Sequence, residues 1–314
     1  MARFSVGEAA TAGFGVIARK PLAVLAWGLA LLIAAVLPTY ILVWIAGPQL
    51  AAIMQLSAQT TDAQDPRMVE QIMRIQSGIM LFQLLFWLWS TAVKAVICSA
   101  VFRAVLEPAD SRFGYLRLGA REGWLTLLFL VEYVLAYIAF LVVMLLGVVV
   151  VAVVSVGGGG QGPATIGTAI VVGLAALALF VWVALKLSMA APMTFVDRQF
   201  RLFESWSFTK GHVGQLLGVT LLLMVFLIGM QVVFGALVLG GIFALGGQMS
   251  WLFEPGAVEA LVRQPPMEIV RRLGPVISIA GFAWVVLSTL VLTVFCAPWA
   301  AAYRALREPV PSQA

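Results

Sequence analysis

The chain has 314 residues, of which 62% are hydrophobic and 11% charged, with a mean hydropathy of +1.05. A soluble domain is roughly 45–50% apolar and roughly 25% charged, so the composition excludes a water-soluble globule and makes the bilayer the solvent. The formal net charge of +5 reads as a topology signal with some attraction to anionic headgroups, and it calls for no nucleic-acid partner.

The N-terminal stretch MARFSVGEAATAGFGVIARK is too polar for the core of a signal peptide, and the apolar run after Pro21 is about twice the usual length of one. An uncleaved first helix is therefore expected. Crossing a hydrocarbon core of about 30 Å takes about 20 helical residues. Six runs meet that length: 21–46, 78–102, 125–154, 166–190, 213–245 and 276–302. The gaps between them do not exceed about 30 residues, less than an independently folding domain normally needs. The predicted fold is all-α: a polytopic membrane protein with six transmembrane helices in one membrane domain over 1–314.

Between the third and fourth runs, GGGGQG (157–162) lacks the Lys-Ser/Thr of a phosphate loop and reads as a flexible turn. Between the fifth and sixth, SWLFEPGAVEALVRQPPMEIVRRLG opens with Trp251 and Phe253 beside Glu254, which suits a short surface helix. Pro38, Pro192 and Pro298 fall within or at the ends of helices, where the missing N–H kinks the chain. Cys98 and Cys296 both fall inside membrane runs, where a disulfide framework is not expected.

Six crossings that alternate in direction put the N-terminus, residues 103–124, residues 191–212 and the C-terminus on one side. That side carries twelve of the nineteen Lys and Arg residues; the opposite loops carry five, Arg67, Arg74, Arg263, Arg271 and Arg272. The positive-inside rule makes the richer side cytoplasmic. The expectation is a bacterial inner-membrane protein with both termini inside.

FRAVLEP (102–108) after the second run returns as YRALREP (303–309) after the sixth, and Pro192 precedes Arg198 by six residues as Pro298 precedes Arg304. Each odd-numbered run follows a short charged segment. In the second such segment Phe113, Leu116, Ala120 and Trp124 recur at steps of three and four beside Arg117 and Arg121, the pattern of an interfacial amphipathic helix. The predicted unit is an interfacial helix, a hairpin of two membrane helices and an Arg turn. It occurs three times, over about 1–106, 107–200 and 201–309. Arg103, Arg117, Arg121, Arg198 and Arg304 are the candidate interfacial lipid contacts.

With its six apolar helices, its Arg-terminated helix ends and segments such as FESWSFTKGHVGQLLGV that lead into helices, the chain resembles bacterial integral membrane families. These are the membrane domain of glycerophosphodiester phosphodiesterases and the YciC-like inner-membrane proteins. In the phosphodiesterases the chemistry belongs to a separate soluble barrel with histidines and acids. That barrel is missing here, where His212 is the single histidine, so the resemblance implies a non-catalytic inner-membrane module and transfers no catalytic residue.

Lys94, Glu132 and Lys186 are ionisable residues inside the runs. Such groups cost roughly 2.5–3.5 kcal/mol near the bilayer centre and are candidates for function. Counted at 1.5 Å per residue, Lys94 lies about 13 Å in from Arg103, Glu132 about 12 Å in from Trp124, and Lys186 about 18 Å in from Arg198, close to the midplane. Two readings follow. One is a polar pathway or binding site in which Lys186 meets an anionic solute; the other is a structural Lys94–Glu132 pair, with Lys186 satisfied by carbonyls near a helix break.

No second histidine, Cys-x-x-Cys pair or G-x-S-x-G elbow is present, so no metal, cofactor or catalytic constellation is expected. The sequence thus predicts a non-enzymatic module that works with membrane lipids or a partner protein. The alternative is a transporter or channel for a small anionic solute.

Overall fold

A computed structural model of the chain describes residues 5–59, 66–158, 160, 162–244, 264 and 266–307. Its helices are α1 (Val6–Arg19), α2 (Pro21–Gln59), α3 (Pro66–Leu106), α4 (Ala120–Gly157), α5 (Pro163–Leu187), α6 (Ala190–Asp197), α7 (Glu204–Phe208), α8 (Val213–Ala244) and α9 (Pro266–Arg307), with a 3₁₀ turn at Arg112–Tyr115. Among the described residues there is no strand. Four of the long helices begin on proline, at Pro21, Pro66, Pro163 and Pro266. The first turn of a helix needs no donor from that residue, and the ring presets its φ.

Among the described residues six helices are long and apolar enough to cross a membrane, over Pro21–Leu42, Met80–Leu106, Arg112–Gly157, Pro163–Asp197, Val213–Gly241 and Ser278–Arg307. Many of their apolar side chains face outward. On α4, Ile138, Leu141, Leu145, Val149 and Val153 are all exposed, as are Ile170, Leu174 and Leu177 on α5. A soluble monomer rarely exposes a contiguous apolar patch of more than a few hundred Å². In hydrocarbon the same surface is matched to its solvent, and the helices satisfy their backbone groups internally. The protein is an all-α, multi-pass membrane protein.

Two expectations change. The stretch 113–124 is not one interfacial helix. The 3₁₀ turn is followed by extended Leu116, and α4 starts only at Ala120 after Gly119. Phe113, Gly114 and Tyr115 take φ of 51°, 63° and 68°, which a continuing α-helix cannot accommodate. Secondly, α2, α3 and α9 run well beyond the apolar segments, so Arg67, Arg74, Arg271 and Arg272 stand on helices rather than in loops. Glu, Gln, Met and Arg are good helix formers, so polar segments rich in them continue a helix past its apolar run. A break accompanies Pro192, as expected: the fourth crossing is interrupted at Ser188–Met189, between α5 and α6. Pro192 explains the break: it cannot donate to the Ser188 carbonyl, and its ring crowds that oxygen.

The glycine-rich turn begins where α4 ends, at Gly157, and Gly160 takes φ 122°, open to glycine alone at no steric cost. Residues 251–263, with the expected surface helix, lie outside the described residues, as do Glu308 and Pro309 of the second Arg-turn motif.

The contacts group into two compact units, each discontinuous in sequence. The first comprises Met1–Gly13, Lys94–Leu222 and Cys296–Ala314. Here α4 packs on α5 and α6, and α7 packs on α5 and α6. Leu185, Met189, Leu216, Ala302 and Tyr303 form one buried cluster, and Phe102 meets Phe195 edge to face at 5.7 Å. The second unit comprises Phe14–Val93 and Leu223–Phe295. Trp27 is fully buried there, and Phe14 packs edge to face on Phe226 at 5.3 Å. The Trp89 indole donates to the Ala34 carbonyl at 2.8 Å. The Thr289 hydroxyl donates to the Val285 carbonyl at 2.7 Å, which lets a polar side chain sit in an apolar helix.

Candidate functional site

The chain leaving α3 enters the Arg-rich segment with four arginines and three acids between Arg103 and Glu122. Each acid takes one arginine. Arg103 pairs with Glu122, Arg117 with Asp110, and Arg121 with Glu107, whose two oxygens accept from the same Nη1 at 2.9 and 3.0 Å. Among the described residues Arg112 forms no ion pair.

The Arg103–Glu122 pair is the buried one, at 3% and 4% exposure. Arg103 also donates to the Tyr115 carbonyl at 2.9 Å, and the Phe195 ring lies 5.5 Å from its guanidinium and 4.7 Å from that of Arg121. Buried charge requires this saturation by partners, since desolvation of an unpaired ion costs several kcal/mol. Tyr115 is itself buried, and its hydroxyl donates to the Pro108 carbonyl at 3.0 Å.

Anchoring Tyr115 inward turns its neighbours outward. Phe113 is 84% and Leu118 87% exposed. Together with Asp110, Arg112 and Arg117 they line an open depression of about 980 Å³. The Arg117 hydrogen bond holds the Asp110 carboxyl below the usual aspartate range. The result is a cross-braced loop that offers two bare apolar side chains and, in Arg112, a guanidinium with no ion pair among the described residues, beside the end of a membrane helix.

The other predicted residues are dispersed. Arg304 donates to the Val105 carbonyl at 3.2 Å, covering a carbonyl in the last turn of α3. Arg198 is exposed at the left-handed cap of α6, φ 56°. Lys94 is exposed and Glu132 half-buried, and among the described residues no ion pair joins them. Arg103, expected at the headgroups, instead faces the interior, because Glu122 returns to it at the start of α4.

Lys186 is 8% exposed. It occupies the last turn of α5, where the helix break frees its carbonyl. The Ser205 hydroxyl donates to that carbonyl at 2.8 Å and the Thr209 hydroxyl at 3.4 Å. These bonds bring the polar segment around α7 to the level of Lys186, whose ammonium lies 5.9 Å from the Trp206 ring. Lys186 thus stands beside a segment with exposed Glu204, Ser207 and Lys210.

The sequence reading missed Glu107, Asp110 and Glu122 as arginine partners, and Trp182 and Trp206 as neighbours of Lys186. The near balance of acids and arginines in 103–122 was the available signal for the first group. Trp182, four residues before Lys186 on the same helix face, was the signal for the second. Cys98 and Cys296 are free and buried. Compared with protein-family models, curated proteins and solved structures, the chain gives no match.

Proposed function

We propose that this is a non-enzymatic module of the bacterial inner membrane, with both termini cytoplasmic, that engages lipid headgroups through the loop between α3 and α4. The observation that carries the reading is the exposure of Phe113 and Leu118 next to Arg112 and Arg117. Apolar side chains gain by entering the acyl boundary, while guanidinium groups bind headgroup phosphates by paired, charge-assisted hydrogen bonds. The positive-inside bias supports the cytoplasmic placement. The sequence echoes after α3 and α9 support a three-repeat organisation over about 1–106, 107–200 and 201–309, and the resemblance to the phosphodiesterase membrane domain and the YciC-like proteins supports a role without chemistry of its own.

The test is lipid retention by the purified full chain, measured by mass spectrometry of the lipids that co-purify. Replacing Arg112 and Arg117 together by glutamine should lower the ratio of anionic to zwitterionic lipid retained. An unchanged ratio in folded protein would remove lipid engagement by this loop.

A further inference from the structure

Lys186 is a buried cation with no carboxylate partner among the described residues. The Ser205 hydroxyl is committed to its backbone carbonyl at 2.8 Å, while the Thr209 hydroxyl lies 3.4 Å from that carbonyl and 3.0 Å from the Ser205 carbonyl, and together they fix α7 against the end of α5. That fixes Trp206 beside the ammonium and, at 4.9 Å and nearly perpendicular, beside Trp182. The two indoles are 44% and 41% exposed, so the cation stands at the rim of the protein behind a half-open aromatic frame. A cation–π contact offsets only part of the cost of taking an ammonium out of water. An anion arriving at the rim would supply the rest.

The surroundings select the anion. The acid on α7, Glu204, is occupied by Arg201 at 3.1 Å, and Lys210 is exposed just beyond α7. Tryptophan prefers the membrane–water boundary, and each indole N–H is a donor suited to a phosphate oxygen. Farther along α5 from Trp182, Leu179 and Leu174 face outward, an apolar track where acyl chains can lie. We propose that Lys186, Trp182 and Trp206 form a specific site for the phosphate of an anionic phospholipid. The proposal rests on the lipid-engaging reading above but concerns separate residues.

The experiment is native mass spectrometry of the full chain in detergent, titrated with phosphatidylglycerol, with phosphatidylcholine and with inorganic phosphate. One phosphatidylglycerol should be held more tightly than phosphatidylcholine. Lys186→Met should weaken it by about tenfold or more, as expected for loss of a charge-assisted contact, while Lys186→Arg should retain it. Trp206→Leu, at a half-exposed position, should weaken it as well and guards against misfolding of the lysine variant. Undiminished binding in folded Lys186→Met and Trp206→Leu would overturn the site. Displacement of the lipid by inorganic phosphate would also overturn it, by assigning the pocket to the free ion. If those variants bind as the parent does while the Arg112/Arg117 double variant loses anionic lipid, the site falls and the broader lipid reading stands.

Discussion

Arg103 and Glu122, nineteen residues apart in sequence, form a buried ion pair that ties the last turn of α3 to the first turn of α4. The placement suits both helices, since a cation at a helix C-terminus and an anion at an N-terminus each favour the local dipole. Removing one partner strands the other. Glu122→Gln should destabilise the protein by roughly 3–5 kcal/mol, whereas replacing both residues by apolar ones of similar size should recover most of that loss. Unfolding in detergent, arranged as a double-mutant cycle, measures the coupling.

The hydroxyl of Tyr115 holds the Pro108 carbonyl and so closes the loop on itself. Tyr115→Phe should cost about 1 kcal/mol and open the loop to trypsin at Arg112 and Arg117. Cleavage there should occur in inverted inner-membrane vesicles and be absent from intact spheroplasts. Cleavage from the outside would reverse the proposed orientation.

Asp110 gives the loop a pH dependence whose sign follows from its ion pair. The Arg117 hydrogen bond lowers the carboxyl below the ordinary value of about 3.9. The pairing therefore contributes its full stability above that value and loses it as pH falls through the lower, folded value. In Arg117→Gln the Asp110 carboxyl should titrate closer to the ordinary value. Carboxyl-carbon NMR of labelled aspartate reads this directly, and an unshifted titration would remove Arg117 as the cause.

Close approach of α1 to α8 depends on Gly218, where an added Cβ would stand 3.1 Å from Cγ1 of Val6. Gly218→Leu should force the helices apart and cost about 1–3 kcal/mol, with Gly218→Ala milder. Thermal unfolding of the two variants in detergent checks the order.

The membrane helices were legible because composition and length alone require them, but helix starts at Pro163 and Pro266 lie outside the apolar runs at 166–190 and 276–302 that signalled them. Helix content between 113 and 119 was misread: the apolar spacing of Phe113, Leu116 and Ala120 fits a helix, but burial of Tyr115 and the glycines at 114 and 119 override it. Arg103 was assigned to headgroups because spacing along the chain does not reveal that Glu122 returns to it. The kink at Pro192 was legible because proline lacks the N–H that the Ser188 carbonyl needs. Trp206 reaches Lys186 only through the packing of α7 on α5, a contact between segments that no local pattern encodes.

The central claim, that the loop between α3 and α4 lies among lipid headgroups, is tested most directly by the depth of its most outward ring. A spin label at Phe113→Cys, in a chain with Cys98→Ala and Cys296→Ala and reconstituted in vesicles containing phosphatidylglycerol, reports collision with oxygen and with a water-soluble nickel chelate. The account predicts oxygen collisions well above those of a label in an aqueous loop, with nickel collisions suppressed. Collision rates equal to those of a freely hydrated label would contradict it.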